Sequence, residues 1–453
     1  MRRTGKHGAT PKLSWERRVE YTLALGQFIS WDESSEFRDD LCDLLNELVQ
    51  FEEKHPKSAL PIFDILIAGT LEKGNEIDDS GDDLGSFLDE LACAWTECCV
   101  SAGMSGDEYI RKLVHWMNAD SIGFFHDLEM TVIPSLNKEY RAALEQELKK
   151  RLEMSSKETP ESGREQHRID ANRRDAIATL KKLYTEAKNS TALIEFCEQY
   201  GLDQEACLAL ASIFHTRKQL DRALEWAEKG LKLKDDRYGK EYELKELRRK
   251  ILKDSGRGCD AVADAWTEFA QHPSIYSFDS VLESATKKEH ANLKAKAITI
   301  FEKADLREAA VALHKLKEFD RLAIRIATSK PKSLQSIFYG DAIPIAESLS
   351  KKYPKEAASL YVVQALEILA EKRAKAYHHA HDYLQSAKTL LEKCGETTTW
   401  LTLVTRIRSE HKLKSSFMPG FEKIAAGEGA PRSLTFKERI AKRLDPGSGR
   451  DQF

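Results

Sequence analysis

The sequence predicts an all-α protein, an irregular solenoid of antiparallel helix pairs. Three observations predict it. Apolar residues recur at helical spacing along almost the whole chain. No run of alternating β-branched residues bounded by turn signals interrupts them. The breaks between helical stretches are short, at 73–81, 118–121 and 201–203, and short connections favour antiparallel neighbours. Composition agrees. Of 453 residues, 41% are hydrophobic, enough for a real core, and 32% are charged, which suits long helices with wet faces. Only 12 Pro and 23 Gly are present, too few for a sandwich or barrel built on many tight turns.

Taken in order, residues 1–14 read as a flexible N-terminus. The opening MRRTGKHGATPKLSW is polar and basic, with no apolar run after it, so it is not a secretory signal. An N-terminal helical domain is expected over 15–153. The most apolar early stretch, Ala59 to Gly69, is broken by Asp64 and falls far short of a membrane span. Leu88, Leu91, Ala92, Trp95 and Cys98 make one helical stripe, with Gly103 as its terminator. Ser105 and Glu108 have capping-box spacing ahead of a second stripe, Tyr109, Ile110, Leu113, Val114 and Met117. Asn137 is the expected N-cap of a third, Tyr140, Leu144, Leu148 and Leu152.

Residues 154–166, MSSKETPESGREQ, are polar almost throughout and carry Pro160 and Gly163. They read as a linker. A longer helical array follows over 167–426. Its most regular part is 203–233, with Leu210, Ala211 and Phe214 on a first helix and Ala223, Ala227 and Gly230 on a second. The small residues let two helices approach closely while Phe214 and Leu224 fill the gap, a tetratricopeptide-like arrangement. Asp305 to Ala327 and Lys355 to Lys393 are Ala-rich pairs of comparable kind without the full pattern. One such pair cannot bury its own apolar face, so neighbours must stack on it. In this geometry Glu205, Ser212 and His215 face the groove that would hold a partner protein or peptide.

Residues 427–453 form a basic tail. Thr435 and Glu438 have capping-box spacing, and Phe436, Ile440 and Leu444 share one face among Lys437, Arg439, Lys442 and Arg443. This short amphipathic helix either docks back on the array, docks on a partner, or touches an acidic surface such as nucleic acid.

Two segments together carry a family resemblance. The first has Tyr353-Pro354, Ala357, Tyr361, Ala374, Tyr377, Ala380, Tyr383-Leu384, Ala387 and Leu390, then Trp400, Val404, Arg408 and Glu410-His411-Lys412. It resembles the helical region that follows the SWIM zinc finger in a group of bacterial proteins. The second, Phe63 to Leu71 followed by Ile77 to Gly85, is similar to a bacterial helical family of unknown function with the same C-terminal architecture. The resemblance spans about Trp15 to Phe421. It implies an all-helical fold and no known reaction. A SWIM finger needs Cys-x-Cys followed by Cys-x-His, and no Cys-x-Cys occurs here, so the finger and its role do not carry over.

Several clusters carry residue types that metal or catalytic chemistry uses. Cys93, Cys98 and Cys99 lack the Cys-x-x-Cys spacing that aims two ligands at one metal, and read as buried thiols. His378, His379 and His381 flank a packing stripe of Ala376, Tyr377, Ala380, Tyr383, Leu384 and Ala387, and are expected on its wet edge. The acidic run Asp78 to Asp83 has part of a calcium-loop pattern. Phe87 stands where the bidentate Glu belongs, so a solvated, helix-capping loop is expected. No Gly-x-x-x-x-Gly-Lys, His-Glu-x-x-His or Gly-x-Ser-x-Gly occurs.

The reading is therefore a non-enzymatic protein-interaction scaffold with no cofactor and no metal. Eight irregularly spaced cysteines suit a reducing cytoplasm. The alternative, which rests on the resemblance to SWIM-bearing proteins and on the basic tail, is a nucleic-acid-associated accessory protein; the net charge of -4 itself gives no bulk signal for nucleic acid. A hydrolase of unspecified chemistry is the third.

Overall fold

The computed structural model describes residues 14–155, 162–234, 239–371 and 374–429. These residues are all-helical, with 22 α-helices, a few 3-10 turns, and a single isolated bridge between Ile29 and Ile77. Among them no helix is long and apolar enough to cross a membrane. The chain divides into two compact units, residues 1–247 and 248–453.

The first unit contains α1 (Trp15–Leu23), α2 (Ser34–Glu52), α3 (Pro56–Lys73), α4 (Asp83–Ala102), α5 (Gly106–Ala119), the short α6 (Leu128–Thr131), α7 (Lys138–Ser155), α8 (Gly163–Glu186), α9 (Ser190–Tyr200), α10 (Gln204–Thr216), α11 (Leu220–Lys232) and the start of α12 (Glu241–Asp254). The predicted stripes become its core. Gly103 ends α4 in the left-handed region, and Ser105 caps α5 by accepting from the Glu108 amide. Asn137 Oδ1 accepts from the Tyr140 amide, 2.8 Å, at the start of α7. These helix ends bring Trp95, Tyr109 and Tyr140 into one fully buried stack, with ring centroids 5.4 and 4.2 Å apart. The two phenols are satisfied by Thr96 Oγ1 and the Met104 carbonyl. Each such ring removes about 150–250 Å² from water, about 4–6 kcal/mol at ~25 cal/mol/Å².

In the acidic run 78–83 the carboxylates bond nearby amides and hydroxyls. Asp79 accepts from the Leu84 and Gly85 amides at the start of α4, Asp78 bonds Ser80, and Asp83 bonds Ser34 and Ser35 of α2. Lys73, fully buried, donates to the carbonyls of Ala24 and Gln27 and ties α3 to the turn after α1.

The expected boundary at 154–166 falls inside this unit. Met154 and Ser155 complete α7, Ser162 caps α8, and α7 packs along α8. The division of the chain lies instead within α12, where a continuous helix leaves no compositional signal.

The second unit continues from α12 into α13 (Gly258–Gln271), α14 (Ile275–Ser284), α15 (His290–Phe301), α16 (Leu306–Lys315), α17 (Phe319–Ala327), α18 (Tyr339–Leu349), α19 (Pro354–Ala370), α20 (Tyr377–Lys393), α21 (Thr397–His411) and α22 (Met418–Ala426). One core is the Phe269–Phe278–Phe301 cluster, with centroids 5.1–6.0 Å apart. A larger one joins α16 to α22. There the buried alanines 357, 358, 380 and 387 let α19 and α20 pack closely, as small residues on facing helices should. The Asp305–Ala327 and Lys355–Lys393 stretches are helix pairs, α16–α17 and α19–α20.

His381 departs from the expected wet edge. It is buried, stacked on Phe417 at 4.8 Å, and Nε2 lies 2.9 Å from the Phe417 carbonyl, so that nitrogen carries the proton. Burial pushes its pKa down. His378 is half-buried and His379 exposed. The helical stripe passes through position 381 because α22 covers that side of α20, a contact no local pattern reveals.

Candidate functional site

The site builds from the α8–α10 side of the first unit. α9 connects the two helices through tight caps. The chain leaves α8 through Lys188 in the left-handed region, and Asn189 caps α9. Gly201 ends α9 with φ 99°, and Asp203 caps α10 by accepting from the Ala206 amide, 2.7 Å. Lys181 of α8 is ion-paired with that same Asp203 and donates to the Gly201 carbonyl, 2.8 Å. One lysine thus fastens α8 to the start of α10. On the far side α11 backs α10 through Ala223, Ala227 and Gly230, as the small-residue pattern requires.

A groove of about 630 Å³ opens between α8 and α10. Its floor is apolar, with Ala178, Leu208, Ala209 and Ile213. Hydroxyls from Thr185, Ser212 and Thr216 line one stretch, and Lys181, Lys182, Lys188 and Lys240 stand around it with Glu186 and Glu205. Lys182 pairs with Glu186 at 3.1 Å and Lys240 with Glu243 at 3.1 Å. Glu205 and Ser212 lie on this groove. His215, half-buried near the end of α10, is not among its lining residues. The tail residues Lys437, Arg439, Lys442 and Arg443 lie outside the described residues.

Sequence reasoning missed a second cavity in the same unit, of about 400 Å³, between α5, α6, α7 and α8. Glu129 of the four-residue α6 is buried in its wall, and Arg151 Nη1 lies 2.8 Å away while its Nε donates to Glu147. Burial raises the Glu129 pKa, and Arg151 only partly opposes this. The sole signal in the sequence was a carboxylate inside the apolar run Leu128–Ile133. The second unit carries its own groove of about 840 Å³, with Val362, Val363, Leu366 and Leu403 beneath a hydroxyl rim of Ser359, Thr398 and Thr402. Of the cysteines, Cys98, Cys99, Cys197 and Cys207 are buried, and burial raises their thiol pKa values, that of Cys98 to about 12.

The arrangement defines a class, an all-α protein of packed helix pairs whose first unit opens a lysine-rimmed groove. The chain belongs to DUF6880, a family of unknown function, which it matches over residues 21–419. No curated protein matches it.

Proposed function

We propose that this is a non-enzymatic interaction protein of the cytoplasm, which binds a segment of a partner protein along the α8–α10 groove. The observation that carries the reading is the groove itself, lined by Ala178, Leu208, Ala209 and Ile213 together with Ser212, Glu205 and several lysines. Such a surface suits a segment with apolar side chains for Leu208, Ala209 and Ile213, and flanking carboxylates for the lysine rim. Here α10, the first helix of the α10–α11 pair, lines the surface in the manner of a tetratricopeptide-like repeat, where inner helices hold peptides. Eight free thiols suit a reducing compartment.

The test uses full-length chain as bait, beside Ser212→Arg and Lys188→Glu, both at solvent-accessible groove positions and both checked for helicity by circular dichroism. A partner retained by the wild type, lost by both variants, and cross-linked to α10 peptides is the expected result. Recovery of the same partners by all three, or of none, overturns it. A low-salt gel shift abolished by deleting residues 427–453 would favour nucleic acid instead.

A further inference from the structure

The charges along the α8–α10 groove are not equally available to a partner. Seven charged side chains line it. Five of these are already answered within the protein, Lys181 by Asp203, Lys182 by Glu186 at 3.1 Å, and Lys240 by Glu243 at 3.1 Å. The other two are Lys188 and Glu205, both exposed. Among the described residues no ion pair or side-chain hydrogen bond engages either of them. Glu205 adds a weaker pull on Lys240, whose hydrogen bond goes to Glu243.

These two charges have opposite sign and stand at opposite ends of the groove. Glu205 is the second residue of α10. The Lys188 carbonyl accepts from Arg217, the residue after the last of α10. Positions 205 and 217 are 12 apart, so at ~1.5 Å per residue the two charges leave the backbone about 18 Å apart along α10. Between them lie the apolar side chains of Leu208, Ala209 and Ile213. The hydroxyls of Thr185 and Thr216 donate to the carbonyls of Lys181 and Ser212, which leaves their lone pairs to accept. Among the described residues nothing engages the Ser212 hydroxyl. Hydroxyls in such a row suit the unpaired amides and carbonyls of an extended chain, whereas a helix satisfies its own. An extended chain covers 18 Å in about five or six residues.

We propose that the groove binds an extended segment of a partner protein that carries one basic and one acidic side chain about five residues apart, with apolar residues between them. The basic side chain meets Glu205, the acidic one meets Lys188, and the segment lies in one orientation. The inference rests on the groove reading and narrows it. One carboxylate, not several, answers the lysine rim, because three of its four lysines are already paired. A segment acidic at both ends would set like charge against Glu205.

The test selects phage-displayed random peptides on the full-length chain. The strongest binder is synthesised with capped ends, beside a version in which its acidic and basic residues are exchanged. Isothermal titration calorimetry measures both on the wild type and on the double variant Glu205→Lys, Lys188→Glu. The selected peptide should carry opposite charges about five positions apart. The exchange should weaken binding to the wild type at least about tenfold, and the double variant should prefer the exchanged peptide. The comparison on the wild type stands alone should the double variant fail to fold. Equal affinity of the wild type for the two peptides, or binders without the charge pair, overturns the orientation. Loss of those binders in Ser212→Arg then leaves the groove reading intact. No selected peptide, or peptides that bind Ser212→Arg as well as the wild type, overturn both.

Discussion

Replacing Gly230 by valine should loosen the α10–α11 pair by about 2–3 kcal/mol, the upper range of overpacking in a close-packed site. Gly230 lies buried on α11, facing α10 and the start of α12. A Cβ added there would stand 2.8 Å from Cys207 Cβ and 2.9 and 3.1 Å from the two methyls of Leu244. Carbon atoms prefer about 3.5–4.0 Å, so the new atom is about 0.7 Å too close to Cys207. The Leu244 methyls end a flexible side chain and can swing away. Cys207 Cβ is fixed to the α10 backbone, so the two helices must part. Overpacking costs about 1–3 kcal/mol, and removing a helix-interior glycine returns at most about 1 kcal/mol with alanine and less with valine. Alanine should therefore cost about 0–2 kcal/mol net, and valine, with two more methyls at the same contact, about 2–3. Because the chain has two compact units, the measurement should be local. Peptide-resolved hydrogen exchange should show protection of α10 and α11 falling about 30-fold for a 2 kcal/mol loss, with α13 unchanged. Leu244→Ala in the valine background should recover only part of it. Unchanged or increased protection in Gly230→Val would refute the close-approach argument.

Arg249 is 5% exposed and holds both Asp264, at 2.9 Å, and Glu268. Arg249→Ala should cost about 2–3 kcal/mol, below the full value of a buried pair because both carboxylates reach water, read as lost exchange protection across α12 and α13. Phe269→Ala removes the ring shared by Phe278 and Phe301 and should cost about 3–5 kcal/mol, seen as a lower melting temperature of the second unit. For His381 the direction follows from burial, which holds its pKa below the usual 6.5. The unfolded chain takes up that proton first, so the stability is present above pH 6.5 and is lost as pH falls through the folded value. Exchange protection of α20 and α22 should drop on acidification to about pH 5, and drop less in His381→Gln.

The helices were legible because their signals are local. Asp203, Asn137, Ser105 and Gly103 sit at helix ends whose chemistry depends on a few neighbouring residues. The α10–α11 pair was legible for the same reason, since Ala223, Ala227 and Gly230 recur at helical spacing and leave room for one partner helix. Two groove residues, Glu205 and Ser212, follow from that register. His215 does not join them, although Thr216, one residue further along α10, lines the groove; the face of the helix excludes it, not its length.

What stayed hidden depends on contacts between distant segments. Glu129 looks like any helix glutamate until Arg151, Asp175 and the α8 wall surround it, and only then does burial change its chemistry. His381 looks solvent-facing until the Phe417 carbonyl arrives to accept its hydrogen bond. Both residues lie where a late helix covers an early one, so periodicity assigns the face without saying what will cover it. The same limit applies to the division within α12, which no composition marks and which follows from the core that each half of the helix joins. Arg249 joins the second unit through Asp264 and Glu268, while Leu244 packs toward Gly230 in the first. In a protein of stacked helices, a functional side chain is therefore best sought where burial conflicts with its polarity, as at Glu129 beside its cavity.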